Sequence, residues 1–146
     1  MITNIEKYAM ENHVPIMQKD GIEYLCNFIL ENRIKNILEI GTAIGYSAIK
    51  MALMDDSIHV TSIERDEERY HMACENILKM QLENRITLIY GDAMTTMVTG
   101  EFDLIFIDAS KGHSIDFFNR YTPYLKRDGF VITDNLSFHG LVEDER

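Results

Sequence analysis

Helix-like and strand-like patterns alternate along this chain. In the helix-like segments apolar residues recur every three or four positions, whereas the strand-like segments are short and almost continuously apolar. The predicted helices cover residues 20–30, 44–54, 66–81 and 114–126, and we expect Pro123 to distort the last of them. The predicted strands cover residues 36–41, 58–64, 85–93 (with the turn that ends it), 102–110 and 129–135.

This alternation predicts a doubly wound α/β fold of the Rossmann-like kind. Strands that alternate with helices pair in parallel through right-handed crossovers. Because the strands are apolar along nearly their whole length, we expect the sheet to be covered on both faces. The predicted strand order is 3-2-1-4-5. Ligands in such folds bind outside the carboxyl ends of the strands, so the residues just after each strand are the candidates for function.

The composition is that of an ordinary globular protein with one domain, residues 1–146. Its two cysteines, Cys26 and Cys74, lie far apart at apolar helix positions, which predicts buried thiols in a reducing compartment. No apolar run approaches the roughly 18 residues of a membrane span, so we expect a cytoplasmic protein. The net charge of -10 argues against strong nonspecific binding of nucleic acid but leaves a local contact with RNA open.

A glycine turn follows the first predicted strand. Gly41 and Gly45 frame it, but Ala43 stands where the dinucleotide-binding motif has its middle glycine. That glycine lets the backbone approach a pyrophosphate, so we expect a ligand without one. A plain tight turn with no ligand is the alternative.

Acidic residues end the next two strands. Glu64 lies about 20 residues beyond the turn, where an acid can accept both hydroxyls of a ribose. Asp92 and Ala93 follow the third strand and are placed to meet an adenine. A nucleoside without phosphates in an acidic site suits S-adenosylmethionine, whose sulfonium and ammonium groups are cationic. The alternative for Glu64 alone is a solvated side chain.

Oxygen ligands end the last two strands. Asp108, Asp134 and Asn135 would lie close together if strands four and five are neighbours. Two carboxylates and an amide, with no His or Cys nearby, suit Mg²⁺ rather than Zn²⁺. Lys111 follows Asp108 and is a candidate base, because a nearby cation lowers a lysine pKa. Taken singly, these residues also fit a loop cap, a turn and a surface lysine.

The motifs resemble the metal-dependent class I O-methyltransferases, which include catechol and caffeoyl-CoA O-methyltransferases. The matching stretches are residues 14–17, 37–49, 62–70, 91–93, 106–113 and 129–142. Within this family the sequences of these motifs are most similar to those of the bacterial enzymes that methylate 5-hydroxyuridine at the tRNA wobble position. The resemblance implies S-adenosylmethionine and Mg²⁺ as cofactors. A small-molecule catechol-type enzyme and a noncatalytic S-adenosylmethionine-binding module are the alternatives.

The resemblance also implies roles for individual residues. The contacts to S-adenosylmethionine would come from Met17, Ser47, Glu64, Asp92 and Asp108, with the turn of Gly41, Thr42, Ala43 and Gly45 under the methionyl part. Asp108, Asp134 and Asn135 would hold Mg²⁺, and Lys111 would be the catalytic base. In this family the sheet has seven strands, and more helical sequence usually precedes the part of the domain that corresponds to the start of this chain. We therefore expect an incomplete copy of the domain, and a homodimer that covers the edge of strand five.

Overall fold

The computed structural model describes residues 2–11, 19–108 and 113–134. Its helices are α1 (Ile2–Glu11), α2 (Lys19–Glu31), α3 (Tyr46–Ala52), α4 (Glu67–Lys79) and α5 (Ser114–Tyr121). Its strands are β1 (Asn36–Ile40), β2 (His59–Glu64), β3 (Ile86–Tyr90), β4 (Phe102–Asp108) and β5 (Leu125–Asp134). Met17, Lys111 and Asn135, three of the predicted site residues, lie outside the described residues.

The five strands form one parallel sheet in the order β3-β2-β1-β4-β5. This order confirms the predicted doubly wound topology. All carboxyl ends therefore meet at one edge of the sheet, and the order reverses between β1 and β4, which is where such folds bind ligands. The register pairs Glu39 with Ser62 across β1 and β2, and Asp108 with Asp134 across β4 and β5.

The sheet is buried on both faces, as the apolar strands predict. Successive residues of β4 point to opposite sides because side chains alternate along a strand. Leu104 and Phe106 enter the core on the side of α2 and α3. Ile105 and Ile107 enter the core on the side of α5. A rigid two-sided sheet thus supports the loops at its carboxyl edge.

The last helix is shorter than predicted, and the last strand is longer. Helix α5 ends at Tyr121, and a 3-10 turn that contains Pro123 leads directly into β5 at Leu125. Proline cannot donate a backbone hydrogen bond, so it stops the helix. The pairing of β5 with β4 is irregular between Phe102 and Leu104. Gly129 lies opposite this irregularity, where an added Cβ would lie only 3.0 Å from the carbonyl oxygen of Asp103.

Both thiols are free, and they differ in exposure. Cys26 is buried in α2, as predicted, whereas Cys74 in α4 is only partly buried. Burial raises the pKa of the Cys26 thiol and outweighs the opposite effect of the nearby Lys50 charge. Cys26 is therefore an inert core residue. None of the helices in the described ranges is long and apolar enough to cross a membrane.

Candidate functional site

A cavity of about 180 Å³ lies at the carboxyl edge of the sheet. Four residues predicted to bind a cofactor line it: Gly41, Glu64, Asp92 and Ala93. They come from the ends of three adjacent strands, which the fold brings together although they are far apart in sequence. Sequence reasoning missed the other lining residues, Ile40, Ile63, Arg65, Gly91, Met94, His113 and Phe117.

The glycine turn has a left-handed backbone at three of its five positions. Gly41, Ala43 and Gly45 have φ angles of 97°, 53° and 90°. Positive φ is easy for glycine and strained for alanine, so surrounding bonds must hold Ala43 in place. The backbone N–H of Gly41 donates to the Ile63 carbonyl at 2.9 Å, and the N–H of Gly45 donates to the Thr42 carbonyl at 3.1 Å. The turn is thus fixed to β2 and closed on itself.

Glu64 ties the end of β2 to this turn. Its Oε1 accepts from the N–H of Ala43 at 2.7 Å, and its Oε2 accepts from the N–H of Asp66 at 3.0 Å. The residue is only 3% exposed, so it is not the solvated acid of the alternative interpretation. A carboxylate has about four acceptor positions. Glu64 lines the cavity with capacity left for the hydroxyls of a ribose.

A buried polar network lies around Glu39 in β1. The hydroxyls of Ser47 and Ser62 donate to its two carboxylate oxygens, and Thr42 hydrogen-bonds to Ser62. Ser47, a predicted cofactor contact, is therefore engaged with Glu39 from the first turn of α3. Sequence reasoning missed the roles of Glu39 and Ser62. The available signal was that each of two apolar strands contains a polar residue, Glu39 or Ser62. Only the strand register shows that these two residues lie side by side.

The turn after β3 is fixed by its own bonds and by α5. Asp92 Oδ1 accepts from the N–H of Met94 at 2.9 Å, which leaves its second oxygen on the side chain for other partners. The carbonyl of Ala93 accepts from the hydroxyl of Tyr121 at 2.7 Å. Burial raises the pKa of Tyr121, so this hydroxyl stays a donor. Asp92 and Ala93 are therefore held in position at the cavity.

Helix α5 closes one side of the cavity with His113 and Phe117. The two residues are four positions apart and so lie on one face of the helix. His113 precedes the helix with a φ of 59°, and its Nδ1 lies 3.4 Å from an oxygen of Asp116. His113 has no specific signal in the sequence, because a lone loop histidine is more often solvated than catalytic.

The structure describes the backbone of two of the three predicted metal ligands. Asp108 and Asp134 end neighbouring strands and are register partners, so the fold brings their Cα atoms side by side. Asn135 lies outside the described residues. Within the described part of the chain, no group of three or more His, Cys, Asp or Glu side chains is arranged to hold a metal ion. Two carboxylates and an amide suit Mg²⁺ by their chemistry, and the site stays a prediction.

Comparisons with known proteins place this chain and its fold among methyltransferases. A family profile described as O-methyltransferase matches residues 1–146. A solved structure from Staphylococcus aureus, provisionally named a caffeoyl-CoA O-methyltransferase, is 43% identical and superposes with a TM-score of 0.90. That match covers 95% of this chain and 68% of the other.

Two further relatives have a bound ligand or a substrate in their names. The O-methyltransferase of Bacillus cereus, solved in complex with S-adenosylhomocysteine, is 25% identical with a TM-score of 0.81, over 95% of this chain and 67% of that one. The catechol O-methyltransferase of Niastella koreensis is 34% identical over 76% of this chain and 53% of its own length. This chain spans 63%, 53% and 64% of the length of three of the curated relatives that it matches.

Proposed function

The chain belongs to the O-methyltransferase family, and we propose that it transfers a methyl group from S-adenosylmethionine to a hydroxyl oxygen. One observation carries this proposal: the cavity at the carboxyl edge of the sheet is lined by Gly41, Glu64 and Asp92. A glycine turn and two acids suit a cationic nucleoside without phosphates. The related structure from Bacillus cereus, in complex with S-adenosylhomocysteine, supports the same ligand.

Each part of S-adenosylmethionine has a proposed set of contact residues. Glu64 retains acceptor positions for the two ribose hydroxyls, and Asp92 with Ala93 would meet the adenine. The turn from Gly41 to Gly45 would lie under the methionyl part. Met17, Ser47 and Asp108 complete the proposed set of contacts.

Asp108, Asp134 and Asn135 would hold a magnesium ion, which fits their oxygen ligands. When bound, Mg²⁺ would orient two neighbouring oxygens of the acceptor and lower the pKa of its hydroxyl. Lys111 would accept the hydroxyl proton. The acceptor oxygen would attack the methyl carbon as the carbon–sulfur bond breaks, which leaves S-adenosylhomocysteine. Alignment of the two reactants would supply most of the rate enhancement.

We propose 5-hydroxyuridine at the tRNA wobble position as the acceptor. Its 5-hydroxyl and 4-carbonyl oxygens are neighbours, so one metal site could bind both. The sequences of residues 13–17, 41–49 and 64–70 support this choice. The net charge of -10 does not favour a large RNA contact, so the contact would be local.

A catechol-type small molecule is the second candidate acceptor. It is favoured by the relatives named for such substrates, including the Niastella koreensis enzyme. Catechol also offers two adjacent oxygens, so the same site would serve. Both candidates predict methyl transfer that requires Mg²⁺.

Two measurements separate these candidates. Mass spectrometry of tRNA nucleosides from cells that lack the protein should show 5-methoxyuridine-derived nucleosides lost and 5-hydroxyuridine accumulated. Unchanged tRNA, together with Mg²⁺-dependent methylation of catechol by the purified protein, would establish the second candidate. Binding of S-adenosylmethionine by calorimetry without turnover of either acceptor would indicate a noncatalytic module.

A further inference from the structure

We propose that Asn76 is a positioning residue that holds the glycine turn in its ligand-binding shape. This inference rests on the proposed function, because the turn is the proposed seat of the methionyl part of S-adenosylmethionine. Asn76 lies in α4, 32 residues after Ile44 in sequence. Its side-chain amide donates to the backbone carbonyl of Ile44 at 2.8 Å.

This bond fixes one particular peptide unit. The carbonyl of Ile44 and the N–H of Gly45 belong to the same planar peptide, so holding one orients the other. The N–H of Gly45 donates to the Thr42 carbonyl at 3.1 Å, which closes the turn. Asn76 therefore binds the carbonyl of the Ile44–Gly45 peptide, and the N–H of the same peptide closes the turn.

The carbonyl of Ile44 stands just before α3. The next carbonyl, that of Gly45, forms the first hydrogen bond of the helix and accepts from the N–H of Ile49 at 3.0 Å. The Ile44 carbonyl is outside the hydrogen bonds of α3, and a backbone carbonyl of a buried residue such as Ile44 needs a partner. The amide of Asn76 supplies such a partner from a neighbouring helix.

A second residue of α4 supports the same turn. Ala73 lies three positions before Asn76 and therefore on the same face of the helix. An added Cβ at Gly45 would lie 3.4 Å from the Cβ of Ala73, so the two backbones pack closely. The small side chain of Ala73 permits this approach, and Asn76 then binds the adjoining carbonyl. One helix face thus recognises the turn by shape and by a hydrogen bond.

The turn needs this support because its backbone is strained. Ala43 has a φ of 53°, a conformation that favours glycine. Glu64 holds the N–H of Ala43 at the cavity side, and Asn76 holds the Ile44 carbonyl at the α4 side. Without Asn76, the Ile44–Gly45 peptide would keep only the bond from the Gly45 N–H to the Thr42 carbonyl and would be less firmly oriented. The ligand would then bind to a turn that is only partly in the competent shape, at a cost in affinity.

The test uses Asn76→Asp, which keeps the shape and replaces the donor with a carboxylate that repels the carbonyl. Asn76→Ala is the second variant. The matched control is Asn32→Asp, because Asn32 makes the same kind of bond, at 3.0 Å to the Phe28 carbonyl, at the distant end of α2. Calorimetry with S-adenosylmethionine should show a dissociation constant about tenfold higher than that of the wild type for both Asn76 variants. Tenfold corresponds to about 1.4 kcal/mol, within the range for a lost hydrogen bond.

Hydrogen exchange of the ligand-free protein supplies an independent measurement. The amides of Ala43 and Gly45 should exchange faster in the Asn76 variants and at the wild-type rate in Asn32→Asp. Dissociation constants within twofold of wild type, or unchanged exchange at both amides, would overturn the inference. If the wild-type protein does not bind S-adenosylmethionine, the proposed function fails, and the exchange rates still decide whether Asn76 positions the turn.

Discussion

The carboxylate of Glu64 binds the backbone N–H of Ala43 at 2.7 Å and so joins the end of β2 to the strained centre of the glycine turn. The same side chain lines the cavity. Glu64 therefore shapes the turn, and in the proposed function it would also offer oxygens to the ligand. We expect a change at Glu64 to affect both binding and stability.

Glu64→Gln should weaken binding of S-adenosylmethionine at least tenfold. The amide keeps only one carbonyl oxygen, so the N–H groups of Ala43 and Asp66 can no longer both be satisfied. We also expect a loss of about 1–2 kcal/mol in the free energy of unfolding. Calorimetry and denaturant unfolding measure the two effects. Glu68→Gln, an exposed change in the first turn of α4, is the control and should leave binding unaltered.

Gly45→Ala should destabilise the protein and also impair ligand binding. The φ of 90° costs an alanine about 1–2 kcal/mol. Gly100→Ala is a matched control, because Gly100 has a φ of 96° and nothing lies within 4 Å of its added Cβ. Both variants should lose similar stability in thermal unfolding. Only Gly45→Ala should weaken S-adenosylmethionine binding, because Gly45 ends the turn that is proposed to lie under the methionyl part. Equal affinities for the two variants would contradict a ligand role for the turn.

The position of the site could be predicted from local sequence patterns. Gly41 and Gly45 mark a turn after an apolar strand, and Glu64 and Asp92 each end a strand or follow one directly. Because parallel strands bring their carboxyl ends together, these local features are enough to place the cavity. The strand order was also predictable from the alternation of elements and is confirmed.

The supports of the site could not be predicted in this way. The Glu39–Ser62 contact depends on the register between β1 and β2, and the contact of Asn76 depends on how α4 packs. Both are tertiary features without a local pattern. The early start of β5 was missed for a similar reason. Residues 125–128 are mostly polar, and pairing of Leu125 with Phe102 rather than propensity makes them part of the strand.

Asp134→Asn should sharply reduce Mg²⁺-dependent methyl transfer. Asp134 is the register partner of Asp108 at the carboxyl edge, where the proposed metal ligands meet. Loss of a residue that supports a metal ligand costs about 10–100-fold, so loss of a ligand itself should cost at least as much. Activity measured against Mg²⁺ concentration checks this. Asp128→Asn, an exposed change elsewhere in β5, should keep the wild-type dependence. A variant of Asp134 with an unchanged Mg²⁺ requirement would remove Asp134 from the site.

We propose that the protein forms a homodimer across the edge of β5. In the described ranges β5 pairs with β4 alone, and an edge strand exposes groups that pair readily. Phe130 is 37% exposed there and packs edge-to-face on Phe28. Light scattering should give twice the chain mass for wild type, and Phe130→Glu should shift it towards monomer. Leu78→Glu, an exposed site on α4, is the control. A monomeric wild type would refute the dimer.

Asp103 should make the stability of the fold depend on acidic pH. Its Oδ2 accepts from the N–H groups of Lys35 and Asn36, both at 2.9 Å, and Lys126 lies 3.1 Å from its Oδ1. Burial acts to raise the pKa of Asp103, but these donors outweigh it and hold the pKa below the ordinary value of 3.8. The folded state therefore prefers the ionised form.

The resulting stabilisation is fully present above the unfolded pKa and is lost as pH falls through the lower folded value. Asp103→Asn should lower the free energy of unfolding by about 1–2 kcal/mol at neutral pH, with a small share from the half-exposed Lys126. The difference from wild type should shrink as the pH falls below that folded value, because the wild-type carboxyl is then protonated too. Thermal unfolding across this pH range measures it, with Asp128→Asn as the control. A difference that stays constant down to the lowest pH would mean that the charge of Asp103 contributes nothing and that only its shape matters.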